Sequence, residues 1–326
     1  MLLDKGKTFG FVLIFALVLA VLILLPFIGI SLFYQTFLTE LFVWILFAIS
    51  FDLIFGYTGL LSFGQALFFG LGSYTVTILI RKFGLNTELS LLLSIVIPIL
   101  FAWFVGYFSV RLTGIHFVII TIIFAIIGNV IGDTWTSLTG GADGLTFSPP
   151  PFRLGFFQIN LMDIKGNYYF VLTIVAISFL FLRRMIQSPL GKVFISIREN
   201  DERARLIGYN VQRYKLIAFM IAGGLSGLAG GLYSLTLKYA SAGYLHWSVS
   251  GHAVVYTIVG GMGTLIGPAL GAGIVMSLEH YLINFLQATD LVVGIALVFM
   301  VLVAPKGLVG LIQSRFKKGE TSAWKK

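Results

Sequence analysis

LSLLLSIVIPILFAWFVGYFSV, Leu89 to Val110, runs for 22 residues without one charged side chain. A helix rises about 1.5 Å per residue, so about 20 apolar residues cross the roughly 30 Å of hydrocarbon in a bilayer. The run is long enough to span. It is continuous and rich in Leu and Ile, whereas a strand of a membrane barrel would alternate weakly over about ten residues. It therefore reads as a transmembrane helix.

Working outward, similar runs cover Phe9–Phe33, Phe37–Phe55, Leu60–Ile80, Leu112–Ile131, Tyr168–Leu182, Lys215–Leu237 and Leu291–Ala304. Gly251–Leu286 is too long for one span and is interrupted at Gly260-Gly261-Met262-Gly263 and Gly267-Pro268, so it reads as two short spans or a re-entrant pair. The expected fold is all-α: a polytopic transmembrane helical bundle of about eight full spans plus that broken pair, in one domain over residues 1–326. Composition agrees. With 58% hydrophobic and 11% charged residues, the chain has too little polar surface for a soluble globule of this size. The first run has about 25 residues, longer than a signal-peptide core, and no small-x-small cleavage pattern closes it. It is expected to stay as a span.

There is no cysteine, which excludes disulfides and cysteine-ligated metals. The net charge of +9 invites a nucleic-acid reading, but its distribution argues otherwise. Arg183–Lys215 holds eight of the 22 Lys and Arg residues, and the tail adds Lys306, Arg315, Lys317, Lys318, Lys325 and Lys326. Basic loops lie in the cytoplasm, so both regions are expected there, facing a membrane rather than nucleic acid. Counting spans with both termini inside puts 183–215 inside and the loop 132–167 outside. Arg81 and Lys82 fall outside and are read as snorkelling at a helix end.

The loop 183–215 is patterned. Ser188-Pro189 is a helix start, Asn200 can cap a second short helix with Asp201 and Glu202 in its first turn, and Gly208 is a left-handed stop. Ala204, Leu206 and Ile207 give that helix an apolar patch. An exposed helix so short is marginal unless it docks on something, either its own spans or a cytoplasmic partner.

Glu202-x-Ala204 followed by Gly208 resembles the EAA…G element of ABC importer permeases, a coupling helix that seats in the ATPase subunit. The wider stretch, with Ser188-Pro189-x-Gly191, Ile197-Arg198-Glu199-Asn200 and Tyr214-Lys215, is similar to the branched-chain amino acid permeases, the LivH/LivM family, on its LivM side. So are Gly56-Tyr57-Thr58-Gly59-Leu60-Leu61-Ser62-Phe63-Gly64-Gln65-Ala66, Thr139-Gly140-Gly141-Ala142-Asp143-Gly144-Leu145, Gly260-Gly261-Met262-Gly263-Thr264-Leu265-x-Gly267-Pro268 and Ala304-Pro305-Lys306-Gly307-Leu308. The likeness covers about 37–312; Asp52 and Gln65 depart from the family pattern. It implies a permease subunit carrying branched-chain or related hydrophobic amino acids, beside a homologous permease, two ATPase subunits and an extracytoplasmic binding protein, in a bacterial inner membrane. Permeases for urea or short amides share much of the pattern and are the alternative.

The residues fit that role. Gly191-Lys192 is followed by Val193 and lacks the upstream Gly of G-x-x-x-x-G-K-[ST], so no phosphate loop is present and ATP hydrolysis is expected in another subunit. No carboxylate pair, metal spacing or nucleophile–base set points to an enzyme, and no cofactor is implied. An ion-coupled carrier, the reading from another class, would need buried ionisable groups; Asp52, His116, Glu279 and His280 are the few candidates. Asp52 is better read as capping the break at Gly56-Tyr57, four residues on, and His116 as an interior hydrogen-bonded histidine. The four-residue spacing of Gly223, Gly227 and Gly231 points to close helix packing. The candidate ATPase-coupling residues are Arg198, Glu199, Asn200, Glu202, Ala204 and Gly208. Gly-broken segments at membrane depth line cavities or are buried, which nominates Gly56, Tyr57, Gly59, Ser62, Gly64, Gln65, Gly260, Gly261, Gly263 and Gly267 for the path. Gly140, Gly141, Asp143 and Gly144 mark the outer loop.

Overall fold

The structure, a computed structural model, describes residues 5–27, 29–154, 157–282, 294 and 307–310. The chain is a helical bundle. Helix α1 (Lys5–Leu24) is followed by a 3-10 turn (Leu25–Phe27), and α2 covers Leu32–Phe55. The expected single span 9–33 is thus cut at its C-terminal end. Pro26 cannot continue the α-helical hydrogen bonding, and Gly29 takes a left-handed φ of 84°.

Then come α3 (Gln65–Phe83), α4 (Thr87–Ser109), α5 (Ile115–Thr134) and the one-turn α6 (Thr136–Thr139). After the outer segment run α7 (Ile164–Gln187), α8 (Pro189–Glu199), α9 (Asp201–Leu206), α10 (Val211–Leu237), α11 (Trp247–Gly260) and α12 (Ile266–Leu282). Among the described residues, α2, α3, α4, α5, α7 and α10 are long and apolar enough to cross a bilayer. The expected run 60–80 shifts to 65–83, because 60–64 stay irregular ahead of α3. The expected last span, Leu291–Ala304, lies outside the described residues apart from Gly294.

Helix α10 is the most enclosed of the six spans and α5 the least. It packs on α2, α3 and α4. Lipid supplies no hydrophobic drive between helices, so close backbone approach through small residues does this work. A Cβ on Gly227 would lie 2.3 Å from Pro98 and from the Ser94 carbonyl of α4, and one on Gly230 would lie 1.8 Å from the Phe69 carbonyl of α3. The glycine stripe is helix packing.

Two ends follow from the connections. At the basic end lie 56–64, 110–114, 188–210 and the α11–α12 turn. At the opposite end the chain is not bare loop: β1 (Leu145–Thr146) pairs antiparallel with β4 (Tyr239–Ala240), and β2 (Phe152–Leu154) with β3 (Phe157–Ile159). Beyond β4 the chain turns inward. Asn129 Nδ2 on α5 donates to the Ala242 carbonyl at 2.8 Å, and Leu245 fills the space over Gly70, Gly128 and Gly132. Helix α11 therefore starts inside the bundle and has only 14 residues, about 21 Å, to reach the basic end. Its partner α12 returns from there, so the broken segment is a tightly packed pair. Gly271 backs onto the Tyr256 carbonyl of α11, where a Cβ would lie at 1.9 Å.

Candidate functional site

Pro189 sits in the first turn of α8, after Ser188 at its N-cap. Gly191 backs onto the Ile186 backbone, and Val193, Phe194 and Ile197 are buried. Asn200 ends α8 and caps α9: its Oδ1 accepts the Arg203 N–H at 2.9 Å, with Asp201 and Glu202 in the first turn. Gly208, at φ 97°, stops the helix. The apolar patch expected on α9 is divided between two faces. Ala204 is fully buried with Val193, Ile197 and Val211, whereas Leu206 is 88% and Ile207 66% exposed. The same short helix docks inward on its own chain and presents two large apolar side chains outward.

Arg198, at the end of α8, donates through Nη1 to the Gly56 carbonyl. Gly59 lies under the same side chain, where a Cβ would come 3.3 Å from Arg198 Cγ. Beside Gly56, the Asp52 carboxylate accepts the Gly263 N–H at 2.7 Å and the Leu265 N–H at 3.2 Å. The expectation that Asp52 caps its own helix break is thus corrected. The N–H groups of Gly56 and Tyr57 go to the Asp52 backbone carbonyl, and the side chain caps the α11–α12 turn instead. That turn needs the help: Gly261 and Gly263 have positive φ, and so does Leu265, at 58°. Burial holds the Tyr57 phenol above its ordinary pKa; the Asp52 charge adds to this and Arg198 opposes it. Three separate sequence motifs therefore meet at the basic end, through Asp52, Gly56, Arg198 and Gly263. An open cavity of about 360 Å³ adjoins them, lined by Thr58, Gly59, Thr113, Arg198, Glu202 and Lys215. Nearly buried Lys215 pairs with Asp201.

Farther in, the start of α3 is tied to α11. The Gly64 N–H reaches Ser62 Oγ at 3.2 Å, the Ala66 N–H reaches Ser250 Oγ at 2.8 Å, and Ser250 donates to the Phe63 carbonyl. Gln65 is fully buried; its Oε1 accepts from Ser226 Oγ, which also bonds Ser50, and its Nε2 has no partner. Gly260 and Gly267 are taken up by backbone contact across the α11–α12 turn. His116, expected inside, is exposed in the first turn of α5, because that turn lies at the bundle's basic rim.

Gly140, Gly141, Asp143 and Gly144 lie at the opposite end. The three glycines all have positive φ, and the Asp143 carbonyl accepts from Tyr239 Oη at 3.0 Å, which pins this loop to the end of α10. Also unflagged by sequence was a ring cluster around Trp44 on α2, with Phe69, Tyr233, His252 and Tyr256 within 6.2 Å centroid to centroid. The one available signal was Glu40, a carboxylate inside an apolar run. No group of three His, Asp or Glu among the described residues could hold a metal ion.

Residues 33–304 match the model of the branched-chain amino acid transport system / permease component family. The chain belongs to that family. Among curated relatives, this permease is 25% identical over 295 residues to the high-affinity branched-chain amino acid transport system permease protein LivM of Salmonella typhimurium, covering 84% of this chain and 69% of the relative. The LivM protein of Escherichia coli matches to the same extent. A probable LivH protein of Methanocaldococcus jannaschii is 24% identical, over 84% and 90%. No solved structure matches the permease.

Proposed function

We propose that the chain is the LivM-type membrane subunit of an ATP-driven importer that moves branched-chain or related hydrophobic amino acids handed over by an extracytoplasmic binding protein. It works as one permease domain beside a homologous permease, with ATP hydrolysed by two separate subunits in the cytoplasm. The observation that carries this is the α8–α9 element. Its Leu206 and Ile207 are exposed for an ATPase groove, while Arg198 reaches from the same element to the α2 break. The names of the relatives support the solute class. A urea or amide permease and an ion-coupled carrier are disfavoured by those names, and Asp52, the most buried ionisable candidate, is occupied with a structural turn.

The basic end faces the cytoplasm on this reading, with 183–215 as the coupling loop and 132–167 outside. Helix α12 ends near Phe33 and Phe37, which touch His280, at the outer end; Gly307 packs against Gly261 at the basic end. The described chain thus stands at the outer end at His280 and at the basic end at Gly307, which supports the proposed eight spans plus the α11–α12 pair. The test is uptake into proteoliposomes holding the permease pair and ATPases. Leucine uptake that needs both internal ATP and the binding protein is expected; uptake independent of ATP, or a preference for urea, overturns it.

A further inference from the structure

The bundle exposes two kinds of surface at membrane depth. On α4 and α5 it is apolar, with Leu92, Leu100, Phe104, Ile119 and Ile123 exposed, as lipid requires. On α2, α11 and α12 it carries Glu40, His252 and Glu279, and His252 faces Glu279 at 4.0 Å. Ionisable groups inside a membrane face protein or a watery cavity, so this second face does not meet lipid. Glu40 sits one helical turn before Trp44, about 12 Å into α2 from its outer end, and within electrostatic reach of Tyr233 and Tyr244. The Trp44 ring lies 5.7 Å from Tyr233, and Tyr233 lies 5.1 Å from Tyr244. All four side chains are only half-buried. Such a set suits an organic ammonium ion: one carboxylate takes the charge and the N–H donors, and the neighbouring rings add cation–π attraction where the ammonium sheds water. A metal ion would want more oxygen ligands than one carboxylate supplies.

We propose that Glu40 with Trp44, Tyr233 and Tyr244 binds the ammonium group of the amino acid as it enters the permease from the outer side. The proposal rests on the importer reading above. It is tested in the assembled importer, where this cysteine-free chain accepts a single reporter, His252→Cys, with Val255→Cys as a second on the same face. The reporters are reacted with an aminoethyl thiosulfonate and with a sulfonatoethyl thiosulfonate of like size. The ammonium reagent should react at least about tenfold faster. L-leucine should slow it, and Glu40→Gln or Trp44→Leu should erase most of the preference while Trp44→Phe keeps it. A preference unmoved by Glu40→Gln, or reporters that react with neither reagent, overturns the site. Uptake is followed in the same vesicles: ATP-driven uptake with an unmoved preference sinks the ammonium site alone, and its absence without any reporter sinks the importer reading and this site with it.

Discussion

Asp52 Oδ1 accepts the N–H of Gly263 at 2.7 Å across 211 residues of sequence. The carboxylate in the last turn of α2 thereby holds the turn that joins the two short helices α11 and α12. Its second oxygen takes the Leu265 N–H, so both oxygens are committed. Asparagine has one acceptor oxygen and would set its NH2 group against the other amide. Asp52→Asn should therefore destabilise the permease by about 1–3 kcal/mol, and Asp52→Leu by more, because a buried donor left unpaired costs its full desolvation. Thermal unfolding of the purified permease pair measures this. An Asn variant as stable as wild type would show that one oxygen suffices.

Helix packing gives a sharper contrast. A Cβ on Gly72 would sit 1.9 Å from the Gly227 carbonyl of α10, whereas nothing lies within 4 Å of one on Gly273. Gly72→Ala should lower stability by about 1–3 kcal/mol through overpacking, and Gly273→Ala should leave the unfolding temperature unchanged. Equal behaviour of the two would contradict the close α3–α10 contact.

Local chemistry was legible in the sequence. Ser188-Pro189, Asn200 and Gly208 act within a few residues, so caps and stops alone located α8 and α9. The apolar runs located the spans for the same reason. Long-range pairing was not legible: Asp52 stands four residues from a glycine break, which made a local cap the nearer reading, and nothing nearby points to Gly263. The inward turn at 242–245 was hidden because its apolar residues resemble any other run, and its burial depends on the small residues Gly70, Gly128 and Gly132 on other helices. The β1–β4 ladder joins two-residue strands, too short to carry a periodic signal.

The Lys215–Asp201 pair ties the start of α9 to α10, and the lysine side chain is 5% exposed. Asp201→Asn leaves that ammonium group poorly compensated and should cost about 1–3 kcal/mol, less than a fully buried pair because Asp201 itself is partly solvated. The neighbouring Glu199→Gln should be near neutral. Comparing the unfolding of the two variants checks it; equal losses would mean that the pair adds nothing specific.

Gly208 has open space around it but a φ of 97°. Gly208→Val pays only the left-handed strain, about 1–2 kcal/mol, with no clash. The bundle should stay folded while ATP-driven uptake falls, if α9 couples to the ATPase as proposed and the strain loosens its stop. Normal uptake in a correctly assembled Gly208→Val importer would remove the stop from the coupling path.

The most direct measurement is on Leu206, 88% exposed on the outward side of α9. With Leu206→Cys as the only cysteine in this chain, a short thiol-to-amine cross-linker should join the permease to the ATPase subunit in the assembled importer, with a yield that changes when ATP binds. A cysteine at Leu100, on the apolar face of α4, should give no such product. Failure of Leu206→Cys to reach the ATPase in an importer that still moves leucine would contradict the claim that α9 is the coupling helix.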